Sequence, residues 1–224
     1  MNAEQRRGAS LITVTQPNDV ISESFRQIRT NIQFSMVDHD FKSIMVTSSG
    51  SWEGKSTVIA NTAAVMAQQG LRVLLVDADL RKPTVAKTFN INTTVGLTSL
   101  LTDRDANIMD TVNYVADANI YILAAGPIPP NPSELLGSNR MAELIGELEE
   151  MFDLVIFDTP PILAVTDAQV VATRVDGVIV VVRSGIANKN EVRKTKELLD
   201  VVNANVIGAV YNGEDANKLG YGYG

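Results

Sequence analysis

Cysteine is absent from this chain, and histidine occurs once, at His39. Disulfides and thiolate metal sites are therefore excluded, and a lone imidazole builds no zinc cluster. Any metal is expected to be Mg²⁺ on oxygen ligands. Aromatic residues are scarce at 5%, with a single tryptophan, Trp52. Basic charge is in deficit: 19 Lys and Arg against 26 Asp and Glu leave a net charge of −7. That sign argues against a protein whose main partner is nucleic acid. Long hydrophobic runs are missing too. Val178 to Val182 is typical, strand-length and far short of a membrane span. No apolar run follows Arg6 and Arg7, so the N-terminus does not read as a signal peptide. The expectation is a cytoplasmic protein with no direct membrane insertion.

What is present suits one α/β domain: 224 residues, 45% apolar and 20% charged. The most informative stretch is Thr47-Ser48-Ser49-Gly50-Ser51-Trp52-Glu53-Gly54-Lys55-Ser56-Thr57. It lies between an apolar strand (Lys42 to Thr47) and a helix (Lys55 to Gln69) closed by Gly70. A loop ending in Gly-Lys-Ser at a helix start holds a nucleoside triphosphate. Backbone N–H groups from Ser51, Trp52, Glu53 and Gly54 turn toward the phosphates. Lys55 reaches the β- and γ-phosphates, and the Ser56 hydroxyl reaches Mg²⁺. Two positions depart from the usual loop. Ser49 stands where glycine is common, a mild change, and Trp52 fits only if its ring turns to solvent or into a neighbour.

Strands and helices alternate along the rest. Arg72–Ala78, Ile120–Ala125, Asp153–Asp158, Gly177–Arg183 and Val206–Tyr211 read as strands, and Ser133–Phe152, Thr166–Thr173 and Asn188–Asn203 as helices. Uninterrupted apolar strands separated by helices imply a mostly parallel sheet covered on both faces, with ligands at the carboxyl ends of the strands. The first ~40 residues and the tail after Asn212 stand outside this pattern. At the ligand edge, Val155-Ile156-Phe157-Asp158 places a carboxylate suited to hold Mg²⁺ directly or through water. Asp77 and Asp79 follow the second strand, two residues apart and so expected on one face. One would position Mg²⁺ and the other accept a proton from an incoming hydroxyl.

These elements together resemble the bacterial tyrosine kinases (BY-kinases) of capsule and exopolysaccharide systems, with Walker A, a Walker A′ motif over Val73 to Pro83, and Walker B. Gly126 to Leu136 and the run Asp158-Thr159-Pro160-Pro161 before Thr166-Asp167-Ala168 are also similar. The likeness is to the separate kinases of Gram-positive bacteria, the CapB/CpsD type. It implies a P-loop fold on a MinD/ParA-like scaffold and ATP-dependent phosphorylation of protein tyrosine. Carried across, Lys55 and Ser56 bind phosphate and Mg²⁺, and Thr57 supports the phosphates. Ser56, Asp77, Asp79 and Asp158 form the metal site. Asp77, then Asp79, orients or deprotonates the tyrosine, and Asn212 meets the adenine edge. Glu23, Arg26 and Arg29 match the E-x-x-R-x-x-R pattern by which such kinases assemble into rings. Phe25, Ile28 and Ile32 share the helical face expected to pack on the core. The glycine-interleaved tail over residues 213–224 is expected to be mobile, with Tyr221 and Tyr223 as autophosphorylation sites.

The resemblance further implies a transmembrane polysaccharide co-polymerase adaptor that activates the kinase at the inner face of the membrane, and a phosphatase that resets the tail. Two other readings compete. One is a MinD/ParA-like ATPase switch, but such ATPases carry a signature lysine where this chain has Gly50. A non-catalytic ATP-binding scaffold is the other, suggested by Trp52 in the loop.

Overall fold

The computed structural model describes residues 9–36, 41–91 and 94–213. Tyr221, Tyr223 and His39 lie outside the described residues. In chain order the elements are α1 (Ile12–Thr15), α2 (Val20–Met36), β1 (Ser43–Ser48), α3 (Lys55–Ala67), β2 (Val73–Asp77), α4 (Val85–Thr88), α5 (Leu97–Thr102) and α6 (Ile108–Thr111). There follow β3 (Val112–Val115), β4 (Ile120–Leu123), α7 (Pro132–Gly137), α8 (Asn139–Met151), β5 (Leu154–Asp158), α9 (Asp167–Ala172), β6 (Gly177–Arg183), α10 (Lys189–Val201) and β7 (Val206–Asn212).

The strands form one seven-stranded sheet in the order β3-β4-β2-β5-β1-β6-β7. Every neighbouring pair is parallel except β3–β4, which is antiparallel. The expected doubly covered sheet is present. All residues of β1, β2 and β5 are buried, as the unbroken apolar runs require. Successive side chains alternate between two cores. Met45, Leu74, Val76 and Phe157 enter the one under α5, α7 and α8, while Ile44, Val46, Leu75 and Ile156 enter the one under α3. The α3 helix is buried nearly all round, and Ala60, Ala63, Ala64 and Ala67 let it lie close to the strands.

One expectation changes and two further stretches gain detail. The helix read over Ser133–Phe152 is two helices, α7 and α8, broken where the Ser138 backbone turns extended and its hydroxyl accepts from Met141 N as the cap of α8. Short helices and the four-residue strand β3 fill the stretch between β2 and β4, where runs are too brief to show a period. The N-terminal segment belongs to the core pattern. Phe25 and Ile32 are buried, and Asn61 of α3 fixes the strap before α2 by accepting from Thr13 N (3.0 Å) and Thr13 Oγ1 (2.9 Å) and donating to Ser10 O (2.7 Å). Among the described residues no helix is long and apolar enough to cross a membrane.

Candidate active site

Strand β1 delivers the chain to the loop that precedes α3, and each bend of that loop has a partner. Ser49 is buried, and its Oγ accepts from Thr195 Oγ1 of α10 at 3.0 Å. The Glu53 carboxylate turns into the protein and accepts from Gly50 N at 2.6 Å and Arg183 N at 3.3 Å. Burial pushes its pKa up, against the pull of those two backbone N–H groups. Glu53 therefore braces the loop with its side chain and offers a phosphate only its backbone. Asn212, at the end of β7, donates to Glu53 O at 2.9 Å. Gly54 has φ +82°, and a Cβ there would fall 2.1 Å from Asn212 Nδ2, so only glycine fits. Trp52 adopts φ +70° and is 68% exposed, its carbonyl accepting from Arg183 Nη1 at 3.2 Å. The ring is thus turned largely to solvent. Ser51 is exposed at the loop's outer bend.

Below the loop the acids converge. Parallel register sets Asp77 beside Asp158 at the ends of β2 and β5. Lys55 pairs with Asp158 Oδ1, leaving Asp158 Oδ2 buried without a partner. Asp77 Oδ2 accepts from Thr84 N (3.0 Å) and Val85 N (2.9 Å), while Asp77 Oδ1 is buried and unpartnered. Burial, then the neighbouring Asp158 charge, pushes the Asp77 pKa up to about 7. Burial raises Asp158 as well, opposed by Lys55. Ser56 Oγ lies 3.1 Å from Thr84 Oγ1, a hydroxyl that the sequence reading missed. Thr57 is half-buried, and its carbonyl accepts from Asn61 at 2.9 Å.

Asp79 lies in the turn beyond the end of β2, where it accepts from Lys82 N at 3.0 Å, and its charge helps to raise both Asp77 and Asp158. Among the described residues no group of three acids is arranged to hold a metal. The orphaned Asp158 Oδ2 and the Ser56 hydroxyl do fit a hard divalent cation. That donor set is incomplete without substrate phosphates and water, which is how Mg²⁺ is usually held.

A second network, also absent from the sequence reading, locks the loop after β2. Arg81 forks onto Asp167, at 2.8 Å from Nε and 3.0 Å from Nη2, and donates to Ser133 Oγ at 3.2 Å. Ser133 in turn donates to Asp167. Burial alone would raise the Asp167 pKa, but the Arg81 and Ser133 hydrogen bonds overcome it and the net shift is downward. On α2, Glu23 and Arg26 pair with each other at 2.6 Å, and Arg29 Nη1 lies 3.5 Å from Val65 O.

A family model described as an AAA domain matches residues 41–205. The chain is 47% identical to the tyrosine-protein kinase YwqD of Bacillus subtilis (strain 168) over 223 residues, 99% of this chain and 94% of that protein. The chain belongs to the bacterial tyrosine-protein kinases. The kinase domain of Escherichia coli tyrosine kinase ETK superposes with a TM-score of 0.88 at 33% identity, covering 95% of this chain and 84% of that one. The chimerical protein CapA2B2 gives 0.85 at 41% identity, covering 92% and 91%. This kinase is thus a protein-tyrosine kinase on a P-loop scaffold, built to bind a nucleotide with a metal.

Proposed function

We propose that this kinase transfers the γ-phosphoryl group of ATP, with Mg²⁺, to Tyr221 and Tyr223 of its own tail, between subunits of a ring. The transfer would regulate capsule or exopolysaccharide synthesis and export. A transmembrane co-polymerase adaptor would recruit and activate the kinase at the inner face of the membrane, and a tyrosine phosphatase would reset it.

The observation that carries this reading is the pair of unpartnered carboxylate oxygens, Asp77 Oδ1 and Asp158 Oδ2, beside Lys55 and Ser56. Phosphoryl transfer passes through a loose transition state, so the protein's work is positioning and charge neutralisation. Bound Mg²⁺ supplies charge neutralisation on the phosphates. Ser56 and Asp158 are the residues to hold it, and Lys55 is the cation for the β- and γ-phosphates. Asp77, raised to about 7, is matched to taking a hydrogen bond or a proton from a tyrosine hydroxyl near neutral pH. Its Oδ2 is fixed by backbone donors, which leaves Oδ1 for the reacting group.

Strand β7 runs parallel to β6, so Asn212 stands on the nucleotide edge. From Asn212 to Tyr221 the extended chain spans roughly 30 Å, enough to reach a neighbouring subunit. Mixing two complementary variants tests transfer between subunits. One is Lys55→Met with an intact tail, and the other is active but carries Tyr221→Phe and Tyr223→Phe. Phosphotyrosine on the Lys55→Met chain is the expected result, and its absence beside an active wild type would mean transfer within one chain.

A further inference from the structure

The nucleotide loop and the acids account for the donor side of the reaction and leave the acceptor side unassigned. Along the sheet the order is fixed: the phosphate loop follows β1, Asp158 ends β5, Asp77 ends β2, and β4 lies beyond. Past Asp77, the segments that leave β2 and β4 enclose an open cavity of about 360 Å³. It is lined by Pro83, Ala86, Lys87, Asn90, Ile91 and the Ala125–Gly126 turn. We propose that this cavity is the acceptor subsite, receiving a tyrosine of an acidic peptide from the side of the acids opposite the phosphate loop. The proposal rests on the reading of the chain as a peptide-tyrosine kinase.

Chemistry and position agree. In-line transfer requires the acceptor oxygen to approach opposite the leaving phosphate. The Ala125–Gly126 turn leaves β4, the neighbour of β2 on the side away from β5 and β1. The cavity therefore lies on the side of the Asp77 strand end opposite Asp158 and the β1 loop, with Asp77 itself buried behind its lining. The volume falls within the ~300–1,000 Å³ range of ligand sites. Pro83, Ala86, Ile91 and Ala125 present apolar surface to an aromatic ring, whose hydroxyl would face the carboxylates.

The walls are built rather than incidental. Asp77 Oδ2 fixes the start of α4 through Thr84 N and Val85 N, so the carboxylate nearest the reaction also sets one wall. The other wall is a close stack of glycines. A Cβ on Gly96 would fall 2.2 Å from Ala124 O and 2.4 Å from Gly126 N, and Gly126 itself has φ +77°. Leu97 N and Thr98 N then bond to Ala124 O (2.7 Å) and Ala125 O (2.9 Å).

Charge selects the peptide. Among the described residues no acidic side chain lines the cavity, and Lys87 lies on its rim with Lys82 in the turn before it. Neither lysine enters an ion pair among the described residues. An acidic residue ahead of the tyrosine suits this rim, and the chain's own tail carries Glu214 and Asp215 ahead of Tyr221.

The test uses the full chain and a synthetic peptide of residues 213–224 bearing benzoylphenylalanine in place of Tyr221. Photo-crosslinks at Pro83–Ile91 or Ala125–Gly126 are expected. Crosslinks confined to other surfaces, or none, would overturn the assignment. A second arm measures binding of the fluorescent unmodified peptide by anisotropy. Lys87→Glu is expected to weaken it about fivefold, and a peptide with lysine at 214 and 215 should recover that loss on the variant. Equal binding of both peptides to both proteins would also overturn it. Neither arm reads catalysis, so a wild type that binds the peptide here but phosphorylates nothing would sink the kinase reading alone.

Discussion

Asp77 is the side chain to which the proposed transfer gives the proton-accepting role, and its ionisation has a thermodynamic signature. The folded chain holds the Asp77 proton up to about pH 7, well above the ordinary carboxylate value. Between those values the folded state binds a proton that the unfolded state has released. Its contribution to stability is therefore present at low pH and is lost as pH rises from about 4 through about 7. Asp77→Asn removes this loss while keeping an oxygen for Thr84 N and Val85 N. Nucleotide-free Asp77→Asn should melt higher than wild type at about pH 7.5 and show a flatter pH dependence, with phosphotransfer reduced by at least about 10²-fold. Thermal melts across that pH range with a parallel transfer assay check both, and an unchanged slope would contradict the assignment. Lys55, Ser56, Asp77 and Asp158 were legible because each sits at a strand end or helix start that the local sequence announces. Glu53 and Asn212 were legible only as loop and edge residues. What they do depends on Arg183 and Gly54, far away in the chain, and no local pattern carries that information.

The strands were readable because β1, β2 and β5 are buried on both faces and must be apolar throughout. The α7–α8 break was not, because a single Ser138 serves both as the end of one helix and the cap of the next, inside a run that keeps helical composition. The segments after β2, β4 and β5 have little periodicity, yet they carry a joint of their own. Arg81, Ser133 and Asp167 come from three different connections and meet at one buried carboxylate. Arg81→Ala leaves Asp167 with only the Ser133 donor and water, and with Arg81 two-fifths exposed the loss should be about 1 kcal/mol of stability. Adding Asp167→Ala should recover part of that loss, because the unpaired charge goes with it. Denaturant unfolding of the two single variants and the double measures the coupling. Strictly additive losses would mean that the fork does not hold these elements together.

Seen as one body, the kinase keeps its chemistry at the carboxyl edge of the central strands and its N-terminal helix on the far side of α3. That packing was partly legible: the Phe25, Ile28 and Ile32 face predicted a helix against the core, but not the strap held by Asn61. Glu23 and Arg26 form an exposed pair one turn apart, worth a few tenths of a kcal/mol within the chain. Replacing both with alanine should move the melting temperature by less than about 2 °C. If α2 builds the ring, the same variant should elute as a monomer under light scattering while wild type does not. A ring that survives the substitution would place the interface elsewhere. Phosphotyrosine mapping by mass spectrometry on wild type beside Lys55→Met and Ser56→Ala, each expressed with the cytoplasmic segment of the proposed adaptor, decides whether the transfer takes place. Phosphate on Tyr221 and Tyr223 in wild type, absent from both variants, is the predicted result. Unmodified tyrosines in all three, with ATP still bound and hydrolysed by wild type, would contradict it.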